Sequence, residues 1–520
     1  MPEETMIEGV VGPWPELDGL TVVQLQDEMA AGRLTAVDLV TRYQERVAAL
    51  DKAGPGLNAV LEMNPDAGAE ATRLDEERQA GRVRGPLHGI PIMLKDNVDT
   101  GDRMMTTAGS LALAGAPAHQ DATTAAQLRE AGAILLGKTN MSEWANLRSR
   151  FSSSGWSGRG GQAHNPHVLD RNTSGSSSGS GSAVAAAFCV AALATETDGS
   201  IVSPASANGV VGIKPTVGLT SRAGVVPISS TQDTIGVHAR CVADAAAVLT
   251  AMAVTAPDPR DPATNDAPPA MDYARGLSLA TLHGARIGVA RNLGFGAREK
   301  VDAVMVKALD ALREAGAVLV DPAPLPSDLG AAGAAEMTVL LYEFKTTLDA
   351  YLATRTDVAL TREGFPLSIE GVVAFNKKHE TEEMPLFGQD LLAAAAARGD
   401  LSEQEYRDAL ELSVRLSGPE GLDAVLDAYD LVALVAPTGG PAWLTDPVNG
   451  DSYSVSSSSP SARAGYPIVT VPAGMVGPLP VSISFIGRRF ADADLIALAY
   501  AFEQHTLARR PPRFLPTVLR

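Results

Sequence analysis

A unit of helix, glycine and short apolar strand recurs along this chain and constrains its fold more than any other feature. It occurs at Thr123–Ala131, Gly132 and Ala133–Leu136, and again at Asp302–Ala315, Gly316 and Ala317–Val320. A change from helical to alternating or continuous apolar patterning across one glycine marks a helix stop followed by a buried strand. Strands alternating with helices predict an α/β fold with a mixed or mostly parallel sheet. Leu57 to Met63 and Ile90 to Leu94 read as further strands, and Ala183 to Ala194 as an alanine-rich helix in close packing. Two helices are expected near the N-terminus. Thr21-x-x-Gln24 forms a capping box for the first, which Gly32 ends, and Thr35 caps a second with Leu39, Tyr43, Val47 and Leu50 at helical spacing.

Composition narrows the function. The 520 residues are 45% hydrophobic and 20% charged, enough to bury a core without disulfide or metal staples. Cys189 and Cys241 suit a structure that needs no disulfide framework. With 42 basic against 61 acidic residues the net charge is −19, and no Lys/Arg run relieves it, so no nucleic-acid partner is expected. The eight histidines show no HExxH pattern, and paired CxxC spacing is absent, so neither a metal nor another cofactor is expected. Met1-Pro-Glu-Glu-Thr is acidic and lacks the apolar stretch of a secretory leader. The longest apolar run, Ala183 to Ala194, is too short for ~30 Å of hydrocarbon. A soluble cytoplasmic chain without membrane contact is therefore expected; loss of an earlier leader would instead leave a secreted or periplasmic one. Nothing in the pattern demands an oligomer.

Four segments read as irregular: Ser152–Gly161, Ser174–Ser182, the proline-rich Thr255–Ala270 and Ser452–Ser461. Residues of about 286–436 form a stretch whose helices carry less glycine and more charge, including a capping box from Ser402 to Glu405. Apolar strands follow at Ile468–Val471 and Val481–Ile486.

Ser174–Ser182 contains only serine and glycine, which by itself suits a flexible linker, a phosphate cradle or an active-site loop. The tract runs directly into the apolar segment from Ala183, which disfavours a linker, and GxxxxGK[ST] is missing. In Thr195-Glu-Thr-Asp-Gly-Ser200, Gly199 allows a bend that presents Ser200 and aims successive backbone N–H groups at one point. The commoner outcome for such a Gly-Ser pair is an ordinary turn. His238 and His164 sit in no nucleophile-like context and read as structural. Lysine can act as base once desolvation lowers its pKa. Lys95, Lys138 and Lys214 each end an apolar run, and their residue patterns alone do not rank them; each also fits a strand-end lysine reaching for water.

These motifs in order resemble the amidase signature family. They are Gly89-Ile-Pro-Ile-Met-Leu-Lys-Asp-Asn97, the Ser/Gly tract, Asp198-Gly-Ser-Ile-Val-Ser-Pro-Ala205 and Gly212-Ile-Lys-Pro-Thr216. Gln232-Asp-Thr-Ile-Gly236 and Ala464-Gly-Tyr-Pro-Ile-Val-Thr-Val-Pro-Ala-Gly474 extend the likeness toward Phe502-Glu-Gln504. The resemblance implies one domain over 1–520, with a signature core of about 65–250 and a more variable, substrate-shaping helical part of about 286–436. It implies a twisted mixed sheet flanked by helices on both sides. It also implies a Ser–cis-Ser–Lys catalytic set: Ser200 as nucleophile, Ser176 as bridging serine after a cis Gly175–Ser176 bond, and Lys95 as base. Backbone N–H groups of Thr197, Asp198, Gly199 and Ser200 would form the oxyanion hole.

Gly137-Lys-Thr-Asn-Met-Ser-Glu-Trp-Ala-Asn146, Gly155-Trp-Ser-Gly-Arg-Gly-Gly161 and Glu196-Thr-Asp-Gly-Ser-Ile-Val202 resemble the bacterial peptide-amidase branch. A small peptide amide, cleaved to free acid and ammonia, is the implied substrate. Ser174 and Ser178 stand where glycines are common in the family, and Val202 where many members carry arginine. Two other functions fit parts of the pattern: the glutaminase subunit of an amidotransferase, and a catalytically silent binding protein.

Overall fold

The computed structural model describes residues 15–518, so the reading of Met1 to Thr5 lies outside the described residues. Thirteen strands alternate with helices: β1 (Val60–Met63), β2 (Pro91–Lys95), β3 (Ile134–Thr139), β4 (Trp156–Ser157), β5 (Gly161–Gln162), β6 (Ala191–Glu196) and β7 (Val211–Lys214). Then follow β8 (Thr234–Ala239), β9 (Arg286–Val289), β10 (Val318–Val320), β11 (Ala433–Pro437), β12 (Ile468–Val476) and β13 (Leu479–Ile486). Eleven of them make one mixed sheet in the order β1-β3-β2-β6-β8-β7-β12-β13-β11-β9-β10, while β4 and β5 pair separately. Every residue of β2, β3, β6, β7 and β8 is buried, as strands must be when both faces of a sheet are covered by helices. The α/β reading, with its mixed sheet between helices, holds.

The capping residues act as their sequence suggests. Thr21 and Thr35 each accept from the amide three residues on, and Gln24 and Asp38 return the bond. The recurring unit also holds: helix Thr123–Glu130 leads through Gly132 (φ 84°) into β3, and helix Glu299–Glu314 leads through Gly316 (φ 94°) into β10. Two local expectations fail. Ala183–Ala194 is not one helix: the helix is Ser178–Ala185, the chain then turns, and Ala191–Ala194 belongs to strand β6. There Ile92–Leu94 of β2 and Ala239–Thr234 of β8 supply ladders on both sides, so sheet pairing overrides alanine's helix propensity. Ser402 caps no helix; its amide donates to Asp400 at 2.7 Å and the helix begins at Gln404.

Residues 286–436 are not helical throughout, since β9, β10 and β11 begin and end this stretch and extend the sheet. Its helices pack a separate apolar cluster built on Leu341, Phe344, Leu348, Val372 and Leu392, which includes Trp144 and Ile228 from beside the site described below. Arg148 joins the two parts: its guanidinium pairs with Glu143 at 2.8 Å and lies 3.9 Å from the Phe387 ring centroid. Burial and the neighbouring Glu143 push the Glu383 carboxyl well up, so it holds its proton in this junction.

Candidate active site

Strands β2 and β6 are parallel neighbours, so their carboxyl ends open on the same edge of the sheet. Lys95 is the last residue of β2; Thr195 and Glu196 end β6; the Thr197–Ser200 turn follows. The turn needs Gly199, whose φ is +77°. Glu196 then pins the far side of the turn by accepting the amides of Ile201 at 2.7 Å and Val202 at 3.0 Å.

The serine-glycine tract is not an exposed linker. All of Ser174–Ser182 is buried, and the segment turns through Ser174 (φ 58°) and a cis Gly175–Ser176 bond into the helix Ser178–Ala185. Glycine is required where the walls close in. A Cβ on Gly175 would lie 2.3 Å from Ser142 Oγ, and one on Gly179 would lie 2.3 Å from the Ala59 carbonyl oxygen. Ser174 Oγ also lies 2.8 Å from Ser203 Oγ, tying the tract to the segment after Ser200.

Lys95 Nζ lies 2.8 Å from Ser176 Oγ, 2.8 Å from Thr195 Oγ1 and 3.3 Å from the Thr195 carbonyl. Asn97 Nδ2 donates to the same Thr195 hydroxyl at 3.0 Å. Burial lowers the lysine pKa to about 7, although Asp233 and Glu196 pull it back upward. Ser200 backs onto the tract, its carbonyl accepting the Ser177 amide at 3.3 Å, while its hydroxyl has no hydrogen-bond partner among the described residues. The amides of Thr197, Asp198, Gly199 and Ser200 likewise donate to no backbone carbonyl there.

Thr197 Oγ1 donates to Asp233 at 2.6 Å, and the other Asp233 oxygen accepts the Ile228 and Ser229 amides. Gln232 Nε2 donates to the Thr197 carbonyl at 3.3 Å. A small pocket lies against this turn, lined by Asn97, Ala145, Thr197, Val226, Ile228 and Asp233 among others. Sequence reasoning singled out none of Thr195, Asn97, Glu196 or Asp233 individually. Each lies within or beside a quoted motif, which was the available signal.

The other lysines and histidines considered have different surroundings. Lys138 donates to the Val98 carbonyl and Thr106 Oγ1, while Lys214 donates to the Tyr466 and Pro215 carbonyls. His238 shares its Nε2 with the Ile201 carbonyl at 2.7 Å, and burial lowers its pKa to about 4. His164 Nδ1 lies 3.1 Å from the Leu169 carbonyl. Cys189 and Cys241 are both free. No group of three or more potential metal ligands occurs among the described residues, and no helix there is long and apolar enough to cross a membrane.

A helix-flanked mixed sheet with this site at its strand ends is the architecture of the amidase signature enzymes. The chain belongs to that family: the Amidase model matches residues 38–496. It is 49% identical to the native peptide amidase of Stenotrophomonas maltophilia, with a TM-score of 0.89 over 95% of this chain and 99% of that one. A probable amidase of Arabidopsis thaliana is 41% identical over 93% of this chain and 89% of its own length. One subunit of the glutamyl-tRNA(Gln) amidotransferase of Symbiobacterium thermophilum is 36% identical over 94% of this chain and 97% of its own. The protein is an amidase.

Proposed function

We propose that this amidase hydrolyses the C-terminal carboxamide of peptides through an acyl-serine on Ser200, with Ser176 as proton bridge and Lys95 as base. The observation that carries the reading is the disposition of groups around Lys95. A neutral amine has two N–H bonds, and the Thr195 carbonyl and hydroxyl stand ready to accept both. The lone pair then faces Ser176 Oγ at 2.8 Å.

In the first half-reaction Ser176 gives its proton to Lys95 and takes the Ser200 proton as Ser200 Oγ bonds to the carboxamide carbon. The negative oxygen that forms is met by N–H groups of the Thr197–Ser200 turn, donors worth about 3 kcal/mol each in the transition state. The proton returns through Ser176 to the leaving nitrogen, the C–N bond breaks and ammonia departs. Water then attacks the ester, giving its proton to the same relay, and releases the free acid and Ser200. The resting Ser200 hydroxyl without a partner fits a relay whose hydrogen bonds tighten only around bound substrate.

The substrate class rests on the motifs around Gly137–Asn146 and Glu196–Val202 and on the likeness to a peptide amidase. The test is to incubate a peptide amide with the protein and read its mass. An NH2-to-OH change without backbone fragments is expected. Free glutamine turned over far faster than any peptide amide would overturn the substrate assignment and leave the triad standing.

A further inference from the structure

The serine-rich segment Ser452–Ser461 has no part in the relay, yet it borders both catalytic loops. At one end Asp451 accepts the Ser154 amide at 3.0 Å, the Ser154 hydroxyl at 2.5 Å and Trp443 Nε1 at 3.3 Å. At the other end Ser458 Oγ donates to Asp198 Oδ1 at 2.5 Å, and a Cβ on Gly199 would lie 3.1 Å from that same Ser458 Oγ. The segment therefore reaches from the loop before Ser176 to the turn that carries Ser200.

Tyr453 stands between these ends. Its hydroxyl lies 3.0 Å from Ser154 Oγ, and Ser154 packs so closely on Gly175 that a Cβ there would meet it at 3.1 Å. The residue is 51% exposed, and its ring centroid lies 4.5 Å from that of Trp443. An aromatic ring held at its hydroxyl offers apolar area with little rotamer entropy left to lose on binding. Beside it, Ser452, Tyr453 and Ser454 lie outside helix and sheet and make no backbone–backbone hydrogen bond among the described residues. Free backbone of this kind can pair with an extended peptide.

We propose that Tyr453 and Trp443, with the free backbone of Ser452–Ser454, bind the peptide part of the substrate and favour an aromatic side chain within two residues of the carboxamide. The inference rests on the reading of this chain as a peptide-amide hydrolase. Continuity with the site identifies the occupant, because the segment's two ends touch Ser154, which packs on Gly175, and Asp198, two residues before Ser200. Asp451 and Asp198 flank it, so an acidic substrate side chain meets like charge at both ends.

The test compares kcat/KM of the unaltered enzyme on acetylated dipeptide amides carrying Phe, Ala or Asp at each of the two positions. Phe should exceed Ala by at least about tenfold at one position, with Asp lowest. Tyr453→Ala should cut that Phe-to-Ala ratio to below about threefold, and Tyr453→Phe, which keeps the ring, should preserve it. Equal rates for Phe and Ala in the unaltered enzyme, which depend on no variant folding, would overturn the inference while the function stands. An unchanged ratio in Tyr453→Ala would remove Tyr453 from it. Failure to hydrolyse any amide would instead sink the function on which it rests.

Discussion

Thr195 and Lys95 form a matched pair: the Thr195 hydroxyl and carbonyl stand 2.8 and 3.3 Å from Lys95 Nζ, at the ends of two adjacent parallel strands. The pair orients a buried amine without placing a carboxylate against it. A directly bonded carboxylate would hold the lysine charged. Polar but uncharged acceptors let burial bring its pKa to about 7, and they still fix the direction of its lone pair.

Activity should follow this titration. Protonated Lys95 cannot accept the Ser176 proton, so kcat/KM should rise with pH through about 7 and level off above it. The measurement is a pH profile of peptide-amide hydrolysis below saturation. A profile flat between about pH 5.5 and 8.5 would contradict lysine as the base.

Stability should carry the same signature. Between about 7 and the ordinary lysine value of 10.5, the unfolded chain holds a proton on Lys95 that the folded chain lacks. Folding stability therefore gains from this group as pH rises through that window. Lys95→Met loses the linkage, so the stability of the native enzyme relative to this variant should improve from pH 7 to pH 10 in urea titrations. A gap independent of pH would mean that the folded lysine stays charged.

Ser200→Ala should abolish turnover and leave the melting temperature nearly unchanged, because its hydroxyl bonds to nothing among the described residues. Ser176→Ala should keep more residual activity, since water can fill the relay. A fluorophosphonate probe followed by intact-mass and peptide analysis should give a single adduct, on Ser200. Labelling of another serine would refute the nucleophile.

Glu196→Ala should cost both activity and stability. It frees the Ile201 and Val202 amides that hold the turn, and it removes the carboxylate that most favours the charged form of buried Lys214. Leaving a buried donor without its carboxylate partner typically costs ~1–3 kcal/mol. Chemical denaturation should show the loss, and kcat should fall more than KM rises, since the turn carries the proposed oxyanion donors.

Gly179→Ala should leave little folded protein. The added Cβ would meet backbone atoms of Ala59 and Asn140 at 2.3–2.6 Å, none of which can rotate aside. Soluble yield and circular dichroism read the outcome; a native-like melt would show that these loops can shift.

The recurring helix–glycine–strand unit was legible because both of its signals are local: hydrophobic period and a glycine able to take positive φ. Thr21 and Thr35 were legible for the same reason, since a cap is made within four residues. Ala183–Ala194 misled because alanine fits a helix or a crowded strand, and the choice fell to β2 and β8 pairing on either side. The order of motifs was enough to place the chain in its family, and it marked Lys95, Ser176 and Ser200. It could not separate Lys95 from Lys138 and Lys214 on chemistry alone, as all three end apolar runs and all three are buried. Only the tertiary structure gives each its own surroundings. It surrounds Lys138 with Val98 and Thr106 and Lys214 with Tyr466 and Pro215, and it brings Ser176 to Lys95 across 81 residues of chain. The three amines differ in which acceptors surround each of them, and those come from segments remote in sequence.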